Sequence, residues 1–381
     1  MTHTTWLQNP SNAKDDPASI IKSMVNEKGK TCVSIIVPTH RVAPGRQGDR
    51  LEVQRATTAA KEILSNKPGS FLVDIDSLLD QVDFNKNKES IGIFVSPRIK
   101  KLVSFPFPVT RKIVVNNFFH MHDLIYIENY QTDYYLLDIS KKEIHLFRGM
   151  LDHLEEIKDK NFPKKIEDDY EYGKPSHSNS GSGYAHVKDV EKDKSKLREL
   201  RLKKIFQVAD KLLSKYITTK DIPLLLCGPT EDISIYRSAT KHADNIITSM
   251  SDNYKGTSVH DLALLAWLQV RSFIDQRKLK LVDDLKERLG EGLAVCGIDG
   301  IWPMTKEGRG RLLLVEKDYG KMGFTTKDNQ LFLQGSGEKP VRYSDMVDEI
   351  INTVLEKNGK VVIMEGGSHE GYGGIALMLR Y

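Results

Sequence analysis

Cysteine is nearly absent from this chain, with three in 381 residues. Cys32, Cys227 and Cys296 are odd in number, far apart and each set beside apolar residues. That pattern predicts reduced, buried thiols and argues against a disulfide frame or a cysteine zinc site. Long apolar runs are missing too. Nothing approaches the roughly 18 residues that a spanning helix needs, and Met1 to Ser19 is polar, without a charged-then-apolar leader pattern. No membrane partner is expected, and a cytoplasmic address follows. Charge is nearly balanced at +4, too little by itself to imply a nucleic-acid partner. A Walker loop, a Gly-x-Ser-x-Gly elbow and a kinase signature are all lacking, so neither ATP or GTP turnover nor a bound cofactor is expected.

What is present is a globular composition, 39% hydrophobic and 28% charged, in a chain long enough for two or three domains. Thr31 to Val37 reads as a buried strand stopped at Pro38, and Leu51 to Leu64 as a helix. A strand at Ile91 to Val95 and the segment Pro106 to Val109 complete a small α/β unit. Asp133 to Ile139 and Glu143 to Gly149, joined by a polar turn, form a hairpin pattern, which Leu151 to Ile157 extends. From Lys158 to Val190 the apolar periodicity fades into a charged, Ser/Gly-rich stretch that reads as a long surface loop.

Order returns at Glu191 with a long helix. Leu197, Leu200, Ile205, Val208, Leu212 and Tyr216 fall near one face, while Lys192, Lys194, Lys196, Arg198, Arg201, Lys203 and Lys204 occupy the others. Pro223 to Gly228 is a buried strand, Val259 to Leu289 a second long helix, and Asp345 to Glu356 a third, stopped at Asn358-Gly359. Gly308-Arg309-Gly310-Arg311 turns into the strand Leu312 to Val315. Gly359 to Met364 supplies another strand, and Gly371-Tyr372-Gly373-Gly374-Ile375 opens a last apolar run ending Leu379-Arg380-Tyr381.

These three glycine-led strands, in this order, resemble the third domain of archaeal and eukaryotic class-I release factors and of Pelota. The hairpin, long loop, basic helix and apolar strand resemble their middle domain. Over about residues 130 to 381 the chain looks like a bacterial member of the archaeo-eukaryotic release factor family; Val33 to Arg41 and the helix from Arg50 resemble those bacterial proteins more loosely. The resemblance implies an α/β protein of three domains: an N-terminal α/β domain (1–128), an RNase H-like middle domain (129–258) with the long loop 158–190, and an L7Ae-like α/β/α domain (259–381). It also implies ribosomal RNA at the A site as partner, and a translational GTPase of the elongation-factor type.

Where release factors carry Gly-Gly-Gln, this chain has Ser180-Gly181-Ser182-Gly183-Tyr184-Ala185-His186, preceded by His177. The glycines keep the freedom to enter a narrow RNA cavity, and Tyr184 and His186 suit stacking on bases, but the glutamine that helps place water is gone. The Asn-Ile-Lys-Ser signature of stop-codon reading is absent as well. The reading is therefore a rescue or hibernation factor whose basic helix holds RNA phosphates, with no catalytic residues assigned. The alternative is a peptidyl-tRNA hydrolase, with His186 as the conceivable base, or an RNA-cleaving enzyme. The latter needs clustered carboxylates, and Asp133 and Asp138 sit at odd spacing on one strand, facing opposite ways. Thr39-His40-Arg41 with Arg46, Asp49 and Arg50 lies just past a strand; a polar turn held by an Arg–Asp pair is expected there, with a phosphate site as the second reading. Phe119-His120-Met121-His122-Asp123 invites a metal, but no further ligands follow at a familiar spacing, so no metal is assigned.

Overall fold

The computed structural model describes residues 17–139, 143–165, 185–251, 257–326, 330–333, 344–367 and 372–381, with the backbone alone for 185–195. It is a mixed α/β protein with several sheets. The chain divides into two compact units, Met1–Gln131 with Ile274–Tyr381, and Thr132–Phe273.

The first unit begins with α1 (Pro17–Val25), β1 (Cys32–Pro38), α2 (Arg46–Ile63), α3 (Ser70–Asp80), β2 (Ser90–Val95), β3 (Lys100–Phe105), β4 (Lys112–Asn116) and α4 (His122–Tyr130). The four strands form an antiparallel sheet ordered β3-β2-β1-β4. Every residue of β2, and all of β1 but Pro38, is buried. Both faces are covered, which is why these strands read as unbroken apolar runs rather than as alternation. Val33, Ile35, Val37, Ile91, Ile93 and Val95 pack against Val53, Ala56 and Ala60 of α2 and Phe71, Ile75 and Leu78 of α3. Those helix residues recur at three and four, the spacing of one helical face.

The second unit holds β5 (Asp133–Ile139), β6 (Glu143–Met150), β7 (His153–Glu156), β8 (Lys164–Lys165), α5 (Ala185–Leu213), β9 (Leu224–Cys227), α6 (Thr230–Ala239) and β10 (Ile246–Met250). Its sheet runs β10-β9-β5-β6-β7, with β8 also on β6. Strands β5, β6 and β7 are antiparallel, whereas β9 and β10 lie parallel to β5. Phe206, Ala209 and Leu213 of α5 and Ile233 and Tyr236 of α6 close over Leu137, Ile139, Ile144, Leu146, Leu224 and Leu226. Gly228 ends β9 with φ +147°, and a Cβ there would stand 2.4 Å from the Ile139 carbonyl oxygen. Only glycine admits that backbone approach.

Two expectations change here. The stretch taken as a loop to residue 190 contains β8, and α5 starts at Ala185 rather than Glu191. Its first turns are rich in Lys, Asp and Glu and poor in apolar residues, so no periodicity betrays them. The buried stripe of α5 is Phe206, Ala209 and Leu213, while Leu197, Leu200 and Val208 are exposed.

Helix α7 (Val259–Gly290) gives its first part to the second unit and the rest to the first. Next come β11 (Ala294–Cys296), α8 (Ile298–Lys306), β12 (Gly310–Glu316), β13 (Met322–Thr325), β14 (Leu331–Leu333), β15 (Ser344–Asp345), α9 (Met346–Glu356), β16 (Lys360–Met364) and β17 (Ile375–Leu379). The glycine-led strands form a sheet ordered β11-β17-β12-β16, with the fully buried β17 antiparallel to β11 and β12. Asp345 caps α9 by accepting from the Val347 amide at 3.0 Å, and Asn358 at φ 58° ends it before Gly359. Within this unit, α4 packs on β16 and α1 packs on α4 and α9. Cys32 and Cys227 are buried, and burial pushes both thiols up to about 12; Cys296 is half-buried. None is a disulfide.

Candidate functional site

The basic helix is the most accessible of the surfaces expected from the sequence. Lys196, Leu197, Arg198, Glu199, Leu200 and Arg201 are exposed in succession. Exposure over six consecutive residues leaves every face of the helix accessible there, since residues on one face recur within four. Lys204 is exposed and Lys203 half-buried. This part of α5 offers four exposed cations and two exposed leucines, with one acid, Glu199, among them. Lys192, Lys194 and His186 lie on α5, but their side chains are outside the described residues. His177, Ser180, Gly181, Ser182, Gly183 and Tyr184 also lie outside them.

The loop after β1 is held by a histidine–aspartate pair, not by the expected arginine. His40 donates its backbone N–H to Asp49 Oδ2 at 2.8 Å, and its Nδ1 lies 2.7 Å from Asp49 Oδ1. Asn87 donates to the same buried carboxylate at 3.0 Å. Gly45 lies so close to this imidazole that a Cβ would come within 2.6 Å of it. Arg41 donates to Glu89 at 2.6 Å and to the Pro106 carbonyl at 3.2 Å. Arg50 lies over the Phe84 ring at 5.4 Å, and Arg46 Nε is buried without a partner among the described residues. The order His40, Asp49 gave no sign of this pairing, because it depends on how α2 returns along β1.

His120 and His122, to which no metal was assigned, are buried in the first unit. His120 Nδ1 stands 2.6 Å from Asp348 Oδ2 of α9, and its Nε2 lies 3.2 Å from Lys112 Nζ and 3.5 Å from Asp123 Oδ2. Lys112 donates to Asp123 at 3.2 Å. Burial alone would lower the His120 value, but the Asp348 charge and hydrogen bonds to Asp123 and Asp348 raise it to about 9. His122 stacks near it with ring centroids 5.9 Å apart; burial first, then the His120 charge, pushes it down to about 4. Burial opposes ionisation of Asp123, yet His120 and Lys112 hold it well below the usual carboxylate range. The result is an ion network joining distant parts of the chain. Among the described residues no group of three or more His, Cys, Asp or Glu is placed to hold a metal. Asp348, 228 residues from His120, is the member that no local pattern could reveal.

A third histidine–aspartate pair, in the second unit, was missed entirely. The Asp210 carboxylate of α5 accepts from Tyr236 Oη at 3.0 Å, the Lys241 amide at 2.9 Å and Thr240 Oγ1, with His242 Nδ1 at 2.8 Å.

The release-factor character read from the sequence stands over the second unit and beyond it. Residues 133–309, just under half of the chain, match the family model "Bacterial archaeo-eukaryotic release factor family 3". No curated protein matches the chain. Among solved structures, archaeal translation termination factor aRF1 is 11% identical, with 96% of this chain and 97% of that one covered and a TM-score of 0.24. Archaeoglobus fulgidus Pelota is 13% identical, with 96% and 93% covered and a TM-score of 0.38. Archaeal Pelota from a "Model of ribosome-bound archaeal Pelota and ABCE1" is 12% identical, with 76% of each chain covered and a TM-score of 0.37. Among the described residues no helix is long and apolar enough to cross a membrane.

Proposed function

We propose that this chain is a cytoplasmic ribosome-binding translation factor, acting at the A site of stalled or idle ribosomes in rescue or hibernation. The match of residues 133–309 to a release-factor family supports the translation role. The observation that carries ribosomal RNA binding is the exposed segment of α5 with Lys196, Arg198, Arg201 and Lys204. Several cations along one exposed helix segment suit contact with successive phosphates, an interaction that is independent of sequence and weakened by salt. In this reading the Ser176 to His186 loop enters toward the peptidyl-transferase centre without hydrolysing peptidyl-tRNA, since the Gly-Gly-Gln glutamine has no counterpart there.

The strand order of the second unit, a three-stranded antiparallel meander flanked by two parallel strands, supports an RNase H-like reading of the middle domain. The sheet β11-β17-β12-β16 with α8 and α9 supports an L7Ae-like reading of the C-terminal one. The latter would meet ribosomal RNA or protein and an elongation-factor-type GTPase. Co-sedimentation of the full chain with empty, stalled and translating ribosomes tests the proposal. Retention on empty or stalled particles, lost as salt rises, is the expected result; no retention by any of the three at low salt overturns it.

A further inference from the structure

The third histidine–aspartate pair continues to a serine. His242 Nε2 lies 3.3 Å from Ser214 Oγ, while its Nδ1 is 2.8 Å from Asp210 Oδ1. Asp210 and Ser214 are four residues apart on α5 and its continuing turn, hence on one helix face, and the imidazole bridges them. Asp210 is 3% exposed and His242 9%, whereas Ser214 is exposed. The acid is deep, the base intermediate and the hydroxyl outermost, the order that a relay toward solvent requires.

The partners limit where the protons can sit. Burial would raise the Asp210 carboxyl, but hydrogen bonds from Thr240, His242 and the Lys241 amide outweigh it and hold the carboxyl below its usual range. An ionised carboxylate only accepts, so His242 Nδ1 carries a hydrogen, and in the neutral ring Nε2 is the acceptor. Ser214 Oγ–H is within reach of two acceptors, the Asp210 backbone carbonyl at 3.4 Å and, in that neutral ring, His242 Nε2 at 3.3 Å. The loop carrying the base is itself tied down, since Thr240 Oγ1 bonds Asp210 and accepts the His242 backbone amide at 2.9 Å. A supported acid, an oriented base and an accessible hydroxyl are the three parts of serine nucleophile activation.

We propose that Ser214, His242 and Asp210 form a serine-nucleophile site that cleaves carboxylic esters, independent of the ribosome-binding reading. Ser214 Oγ attacks the ester carbonyl carbon as its proton passes to His242 Nε2. The carbon–alkoxide bond breaks, and the leaving alcohol takes that proton. Water then attacks the acyl-serine with His242 again as base, releasing the acid and restoring the hydroxyl. Asp210 stays ionised throughout and stabilises the transient imidazolium. Lys211, exposed three residues before Ser214 on the same face, is the cation in register to face the oxyanion.

The test is covalent labelling of the full chain with a fluorophosphonate probe, which a serine activated in this way attacks at phosphorus with loss of fluoride. Adduct mass and site are read by mass spectrometry, alongside hydrolysis of 4-nitrophenyl acetate. The expected result is a single adduct on Ser214, with labelling and hydrolysis at least tenfold slower in Ser214→Ala and in His242→Ala, and with the melting temperature of Ser214→Ala unchanged. An unmodified chain, an adduct elsewhere, or Ser214→Ala reacting like the parent protein overturns the proposal. Because Ser214 is exposed, its alanine variant folds and keeps the test decisive even where His242→Ala does not.

Discussion

His120–Asp348 and His242–Asp210 are the same chemical pair placed in the two units, at 2.6 and 2.8 Å, yet they end as opposites. In the first, the second ring nitrogen also meets an acid, Asp123, beside Lys112, and the two acids and the imidazole are buried. Two acids on one imidazole favour the charged form, and His120 becomes an ionic latch between the start of α4 and α9. In the second, the far nitrogen meets an exposed hydroxyl at 3.3 Å instead of a second acid. What the second nitrogen faces, rather than the aspartate, decides whether such a pair fastens the fold or is available for chemistry.

The contrast breaks most visibly at the latch. Asp348→Asn leaves the buried His120 cation with one carboxylate fewer, and removing one partner of a buried ion pair costs about 3–5 kcal/mol. Urea unfolding of the full chain should show that loss. The same latch predicts a pH dependence. With the folded His120 value raised to about 9, its contribution is complete below the unfolded value near 6.5 and is lost as pH rises through 9. The gap between the unfolded and folded values corresponds to about 3 kcal/mol. Unfolding measured from pH 6.5 to 10 should show the decline, and His120→Gln should flatten it. Asp123 and His122 act on the other side. Stability falls as pH drops below 6.5 because His122 must stay neutral, and falls further as Asp123 takes up its proton.

Smaller effects are expected in the second unit. Asp210→Asn turns one acceptor oxygen into a donor among groups that already donate, at a cost of about 2 kcal/mol, measured by the same unfolding. Ser214→Ala removes only an exposed hydroxyl and should shift stability by less than about 0.5 kcal/mol. A larger shift would make Ser214 a structural anchor of the kind that His120 is.

The sequence was most legible where one periodicity ran unbroken. Cys32 to Val37, Ile91 to Val95, the hairpin of β5 and β6, α9 and the glycine-led strands β12, β16 and β17 all lie where their patterns put them. Helix α4 was not read as a helix because His122 to Tyr130 is buried almost throughout, which erases the amphipathic signal. The exposed segment of α5 at 196–201, with Val208, misled for the opposite reason. Leu197, Leu200 and Val208 fit a helical face by spacing, but spacing does not say whether anything covers that face. The histidine pairs were illegible because each joins residues that only the topology brings together; His40, His120 and His242 find their carboxylates 9, 228 and 32 residues away.

In the proposed function α5 holds ribosomal RNA through its exposed cations. The most direct measurement is co-sedimentation with empty ribosomes across a salt series, for the parent chain and for Arg198→Glu, Arg201→Glu, Lys204→Glu combined. The parent should be retained at low salt and lost steeply as salt rises, with retention reduced at least about tenfold in the triple variant and a shallower salt dependence. Equal retention of the two proteins at every salt concentration would contradict it.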